Sequence, residues 1–196
     1  MDQWTSPDII LSIVTIILSC VAIGISISQN YLNKKQALFD RKLKIYLEFQ
    51  ELLDLHSGFL ELKDNEKYEI KTMLSVFAPS IFMDILPQVI NEPLNLETKK
   101  FFMMRIEKLL YDAHEIKLLS NRWNKRNYKI ISNYLIYYAN FFDQLYKYYS
   151  KHKDNEIYID LETNETINSL ITNLNSILTE TNENNILEKF ENSIRI

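Results

Sequence analysis

Glycine, proline and cysteine are scarce: the 196 residues include two glycines, four prolines and one cysteine. Isolated glycines at positions 24 and 58 exclude the glycine-rich loops that hold phosphate at the start of a helix. The single cysteine, Cys20, excludes a disulfide within the chain, as is usual for proteins of a reducing cytosol. Alternating valine-rich runs, which are typical of strands, are also absent, and apolar residues recur at helical spacing instead. This pattern predicts an all-α fold.

Sets of residues that carry catalytic or metal chemistry are missing as well. The histidines, His56, His114 and His152, are dispersed, and no H-E-x-x-H or C-x-x-C spacing occurs. Helical RNase domains of the HEPN type have an arginine and a histidine close together, whereas eight residues separate Arg105 from His114. We therefore expect no enzyme activity, no metal and no cofactor.

A basic turn at residues 121–129 places Trp123 and Tyr128 among cations, a combination that can bind phosphate and stack on bases. The net charge of the whole chain is −4, which opposes contact with a polyanion. We expect a connection between two helices here rather than a nucleic-acid site.

One long apolar run stands out near the N-terminus. Residues 9–27 include no Asp, Glu, Lys, Arg or His, and the first 30 residues include no Lys or Arg. A helix of about 20 residues crosses the roughly 30 Å hydrocarbon layer of a bilayer. A cleaved signal peptide would need a basic leader, and Asp2 and Asp8 stand there instead. We therefore predict a single transmembrane helix at residues 9–29.

Positive charge follows the apolar run on one side only, at Lys34, Lys35, Arg41, Lys42 and Lys44. Cytoplasmic flanks of membrane spans carry such charges, and each cation near an anionic head group is worth about 1 kcal/mol. This asymmetry predicts a cytoplasmic-membrane protein with residues 1–8 as a short extracytoplasmic tail and residues 30–196 as a cytoplasmic helical bundle. The five cations are predicted lipid contacts.

Small and polar residues are spaced three and four apart within the span, at Ser12, Thr15, Ser19, Ala22, Ser26 and Gln29. On a helix they fall along one side, where small side chains let two membrane helices approach closely. This stripe predicts a self-association face and hence a homo-oligomer. The alternative is that each hydroxyl bonds to the carbonyl of its own helix.

Helical patterns continue through the predicted cytoplasmic part. The first helix should extend from the span to about residue 62; a second stretch, residues 66–90, should be broken at Pro79 and Pro87. Asn95 is a predicted N-cap for a helix over residues 96–122, and Asn164 or Thr163 for a later one. Helices are also expected at residues 125–151 and from Ile186 onward, whereas residues 156–161 are ambiguous.

The predicted helix at residues 125–151 is apolar on almost every side because it carries nine tyrosines and phenylalanines. A helix of this kind is either central in its domain or part of an interface. Central packing is one interpretation. The other assigns a second stripe, Tyr134, Tyr137, Phe141 and Tyr148, to a surface for a cytosolic protein partner.

The segment Phe39-Asp40-Arg41-Lys42-Leu43-Lys44-Ile45-Tyr46 resembles one found after the N-terminal helix of many small bacterial membrane proteins. In those proteins Phe-Asp-x-Arg, or a close variant, precedes an apolar residue and a tyrosine; here the arginine stands one place early. Several such proteins are encoded in anti-phage defence loci. The resemblance therefore implies a non-enzymatic membrane effector, which would act by self-association of spans and perturbation of the bilayer. The alternative is a membrane-tethered adaptor that recruits a cytosolic protein.

Overall fold

The computed structural model describes residues 6–56, 58, 67–119, 125–152, 158–161 and 163–194, with side chains from residue 11 onward. These residues form seven α-helices, a short 3₁₀ helix and one two-stranded ribbon. The predominantly helical fold is confirmed. Residues 1–5 of the predicted tail and residues 121–124 of the basic turn lie outside this description.

The chain divides into two compact units, one ending at Arg41 and the other Lys42–Ile196. The first unit contains most of helix α1, Ser6–His56, whose side chains from Leu11 to Leu38 are all exposed. The sequence places the domain boundary at residue 30, where the apolar run ends. That boundary stays a prediction; the second compact unit begins at Lys42, and Ile45 is the first fully buried residue of α1.

The second unit is a bundle built from the end of α1 and the remaining helices. Its elements are β1 Lys67–Glu69, α2 Ile70–Val76, a 3₁₀ turn Ser80–Phe82, α3 Leu86–Asn91, α4 Leu96–Leu118, α5 Lys125–Lys151, β2 Tyr158–Asp160, α6 Glu165–Glu183 and α7 Ile186–Ile194. Helix α5 packs against α2, α4 and α6 and is the central element of this unit.

Two prolines shape the segment between α2 and α4. Pro79 precedes the 3₁₀ turn, as expected from a residue that has no amide proton to donate. Pro87 lies in the first turn of α3, where a missing amide proton costs little. The predicted break at Pro79 is therefore confirmed, and Pro87 begins a helix rather than ending one.

Asparagine side chains cap the two helices for which caps were predicted. Asn95 Oδ1 accepts from the Glu97 amide at 2.9 Å, and Asn164 Oδ1 accepts from the Ile167 amide at 3.1 Å. Such a cap contributes about 1 kcal/mol because it satisfies an amide that has no partner within its helix. Helix α5 has the predicted bounds, whereas α4 ends at Leu118, four residues before the predicted end.

A short ribbon of two three-residue strands accompanies the helices of the all-α fold. Strands β1 and β2 are antiparallel and pair Tyr68 with Ile159. Ile159 is buried in the core, so this short, tyrosine- and isoleucine-containing segment gains both cross-strand pairing and apolar burial. The ambiguous residues 156–161 thus include a strand.

Candidate functional site

Helix α1 carries a long continuous run of exposed apolar side chains. Every large aliphatic side chain from Leu11 to Ile27 is exposed, from 45% at Val14 to 67% at Leu11. An 18-residue window of this helix has a mean hydropathy of 2.4, and none of it is buried. By length and composition, α1 is long and apolar enough to cross a membrane.

The small-residue stripe of α1 is exposed along its whole length, from Ser12 to Gln29. Thr15 Oγ1 donates to the Leu11 carbonyl and Ser19 Oγ donates to the Thr15 carbonyl, each at 2.8 Å. These two protons are therefore used within the helix, as in the alternative interpretation of the stripe. The hydroxyl oxygens keep lone pairs, and the side chains keep their small size, so close packing of a second helix is still possible here.

The five predicted lipid-contacting cations fall into two groups. Lys34, Lys35 and Arg41 are exposed on α1. Lys42 Nζ donates to the Ser193 carbonyl at 3.2 Å, and Lys44 Nζ lies 2.7 Å from Asp112 Oδ1. Lys42 and Lys44 thus bind the helical bundle rather than presenting their ammonium groups fully to solvent.

Lys44 belongs to a cluster of charges between α1 and α4. Lys44 and Lys108 lie 3.9 Å and 3.7 Å from Glu48 Oε1, and the Asp112 side chain has no exposed surface. Burial lowers the pKa of Lys44, but the hydrogen bond to Asp112 and the charges of Glu48, Asp112 and Glu115 outweigh it, so that the pKa is raised.

The Glu48 carboxyl group of this cluster interacts with the buried Asp112 carboxyl group. Burial, a hydrogen bond to Asp112 and the charge of Asp112 raise the pKa of Glu48 to about 7, against the lowering effect of Lys44 and Lys108. Glu48 Oε2 and Asp112 Oδ2 are buried without another partner in the described part of the chain. The raised pKa follows because a second carboxylate in a desolvated site favours the neutral form of Glu48.

His56 lies at the end of α1 in a buried polar network. Its Nδ1 is 2.6 Å from the Tyr134 hydroxyl, and its Nε2 is 2.8 Å from Asn175 Oδ1. Burial lowers the pKa of His56, against a smaller opposite effect of the Asn175 hydrogen bond. A neutral ring protonated at Nε2 donates to Asn175, and the single proton of the Tyr134 hydroxyl then lies between His56 Nδ1 and the Leu52 carbonyl, which is 3.2 Å from that hydroxyl. Because no surface of His56 is exposed, the network ties α1, α5 and α6 together and offers no access to a substrate.

The predicted partner surface on α5 is not an exposed surface. Tyr134 and Phe141 are completely buried, while Tyr137 and Tyr148 are partly buried and packed against the core. These residues pack inward because α5 is surrounded by α2, α4 and α6. Central packing, the other interpretation of the aromatic helix, accounts for Tyr134 and Phe141.

Several tyrosines of α5 donate their hydroxyl protons to backbone carbonyl groups of neighbouring segments. Tyr138 donates to the Phe77 carbonyl at 3.1 Å, Tyr146 to the Pro93 carbonyl at 2.7 Å and Tyr149 to the Ile90 carbonyl at 2.6 Å. Phe77 is the C-cap of α2 and Ile90 lies in the last turn of α3, where carbonyl groups have no partner within the helix. Pro93 lies in the turn before α4. Tyrosine supplies a donor there while its ring fills the core. Helical spacing in the sequence shows the rings but not the carbonyls that they reach.

Metal-binding geometry is absent from the part of the chain that the structure describes: no group of three His, Cys, Asp or Glu side chains converges there. Comparison of the chain with protein-family models, with curated proteins and with solved structures found no match.

Proposed function

We propose that this chain is a non-enzymatic, single-pass effector of the cytoplasmic membrane, in bacterial anti-phage defence, whose spans self-associate and perturb the bilayer under the control of the cytoplasmic helical domain. The observation that carries the proposal is the exposure of every large aliphatic side chain from Leu11 to Ile27 on α1. The defence role rests on the resemblance of residues 39–46 to the corresponding segment of small bacterial membrane proteins.

Lipid is the environment that suits α1. Full burial of one large aliphatic side chain contributes about 1.5–3 kcal/mol, and ten of them are exposed between Leu11 and Ile27. A soluble partner helix would cover a single seam, but these side chains occupy all sides of the helix except the stripe. A bilayer covers every side at once. The exposed cations Lys34, Lys35 and Arg41 then favour the cytoplasmic surface.

Self-association is assigned to the stripe from Ser12 to Gln29. Apolar packing gives no advantage between helices in lipid, so contact depends on small side chains and on hydrogen bonds. Thr15 and Ser19 use their protons within the helix, so close backbone approach is their main contribution. Gly24 lies off this stripe, with open space around the position of an added Cβ.

The experiment compares two triple variants of the full chain after induced expression in bacteria, with a dye that reports membrane potential. S12L/S19L/S26L fills the stripe, whereas C20L/G24L/S28L adds leucines away from it and serves as the matched control. We expect the wild type and the control to depolarise cells and to form crosslinked oligomers, and the stripe variant to do neither.

The outcomes separate the effector from the adaptor. If wild-type expression never depolarises cells, with or without phage infection, the effector proposal is wrong. If replacement of residues 9–29 by an unrelated span preserves protection against phage, the helical domain acts as a tethered adaptor. If both triple variants lose activity alike, the stripe is not the association face.

A further inference from the structure

A cavity of about 560 Å³ lies beside the C-terminal part of α5, between that helix and the beginning of α4. Pockets for small organic ligands usually have volumes of about 300–1,000 Å³. Part of the lining is apolar and comes from Leu94, Met103 and Tyr146. The rest includes three lysines, Lys99, Lys147 and Lys151, all exposed.

The apolar wall is held in place before any ligand binds. Tyr146 donates to the Pro93 carbonyl at 2.7 Å, and its ring stacks on Phe102 with centroids 4.0 Å apart. Tyr149 holds the last turn of α3 through the Ile90 carbonyl at 2.6 Å. These bonds keep the segment between α3 and α4 at a set distance from α5. A preformed wall reduces the entropy lost when a ligand binds.

Positive charge predominates in the lining, since three lysines face one acid, Asp143. Lys147 Nζ lies 2.5 Å from Asp143 Oδ2, whereas Lys99 and Lys151 form no ion pair with any described residue. Two ammonium groups beside an apolar wall form a site for an anion attached to an apolar group. Lysine binds phosphate as a compact charge with three donors.

Asp143 indicates that the ligand should also carry a hydrogen-bond donor. Its Oδ1 is buried and has no hydrogen-bond partner among the described residues, while the residue as a whole is 9% exposed. A buried acceptor without a donor costs about 1–3 kcal/mol. A hydroxyl or amino group of a ligand beside Lys147 would supply the missing donor.

We propose that this cavity binds a nucleoside monophosphate. Lys99 and Lys151 would hold the phosphate, Asp143 would accept from a sugar hydroxyl, and the base would lie against Leu94, Met103 and Tyr146. Phosphate binding of this kind needs no glycine-rich loop, because lysine side chains contact the phosphate in place of backbone amides. The site belongs to the helical bundle and does not depend on the membrane role.

The test is isothermal titration calorimetry on the full chain in detergent micelles. The four common ribonucleoside monophosphates, adenosine and inorganic phosphate are titrated separately. We expect at least one monophosphate to bind at least tenfold more tightly than adenosine or inorganic phosphate. K99Q/K151Q should weaken that binding at least tenfold, and D143L, which removes the acceptor, should weaken it without changing the far-UV circular dichroism.

The matched control is K100Q/K129Q, which removes the same charge from exposed lysines that do not line the cavity. Its affinity should equal that of the wild type. The proposal is overturned if no monophosphate binds with a Kd below about 1 mM, if the control loses as much affinity as K99Q/K151Q, or if inorganic phosphate binds as tightly as the nucleotides. Displacement of the bound nucleotide by a soluble short-chain phospholipid would instead assign the site to lipid head groups and also overturn it.

Discussion

Lys44 Nζ lies 2.7 Å from the carboxylate of Asp112, a side chain on α4 with no exposed surface. Removing the cation would leave the buried Asp112 carboxylate without this partner and with the Glu48 carboxyl group nearby. Loss of one partner from a buried ion pair usually destabilises a protein strongly, and the 45% exposure of the Lys44 side chain reduces this effect. We expect K44M to lower the free energy of unfolding by about 1–3 kcal/mol.

The measurement is urea denaturation of the full chain in micelles, followed by near-ultraviolet circular dichroism of the buried tyrosines. K35M is the control, since Lys35 is exposed and lies in the first unit. The urea midpoint of K35M should equal that of the wild type. The double variant K44M/D112N should recover part of the loss, because it also removes the buried charge. Equal midpoints for K44M and the wild type would show that Lys44 is not a structural partner of Asp112.

The raised pKa of Glu48 predicts how the stability of the folded protein depends on pH. Burial and Asp112 raise its pKa in the folded state to about 7 from 4.5, so the folded protein binds this proton more tightly than the unfolded chain. Its contribution to stability is therefore complete below pH 4.5 and is lost as the pH rises through about 7. Glutamine resembles the protonated acid and does not titrate. We expect E48Q to raise the melting temperature at pH 8 and to leave it almost unchanged at pH 4.5.

Thermal denaturation at several pH values checks this expectation, with the same tyrosine signal. E51Q is the control, because Glu51 lies on the same helix but accepts from the amide and hydroxyl of Ser80 and has no role in the cluster around Asp112. E51Q should therefore not reproduce the gain in stability at pH 8. If the melting temperature of the wild type does not fall between pH 5 and 8 relative to that of E48Q, the pKa of Glu48 is not raised in the folded protein. The decisive result is the sign of the difference in melting temperature between E48Q and the wild type at pH 8.

The predictable parts of this fold are those that local chemistry determines. Helix α5 begins and ends where its apolar pattern does, and Asn95 and Asn164 cap their helices because a side-chain amide competes well for a free backbone amide. Proline likewise determines the break at Pro79. Each of these outcomes depends on residues within about one turn of each other.

The features that could not be predicted depend on contacts between residues that are far apart in the sequence. Tyr134 could be assigned to a surface from its helical phase alone, and only the packing of α1 and α6 shows that it contacts His56. Lys44 likewise belongs to a run of cations in the sequence, yet its partner is 68 residues away. The cavity combines Lys99 with Lys147, two lysines that have no sequence relationship. Spacing along one helix predicts which side chains share a face but not which element covers that face.

The single cysteine offers a direct test of the membrane span. Cys20 is exposed on α1, so in water it would react readily with a polar maleimide, whereas hydrocarbon would exclude the reagent. We expect no labelling of Cys20 in isolated membranes and complete labelling after denaturation in dodecyl sulfate.

The control C20S/N33C moves the thiol to the predicted cytoplasmic flank. It should be labelled in inverted vesicles and protected in intact cells, because the positive charges that follow the span favour the inner surface. Equal labelling of Cys20 in membranes and in dodecyl sulfate would show that α1 is not embedded, and labelling of C20S/N33C from outside intact cells would reverse the proposed orientation.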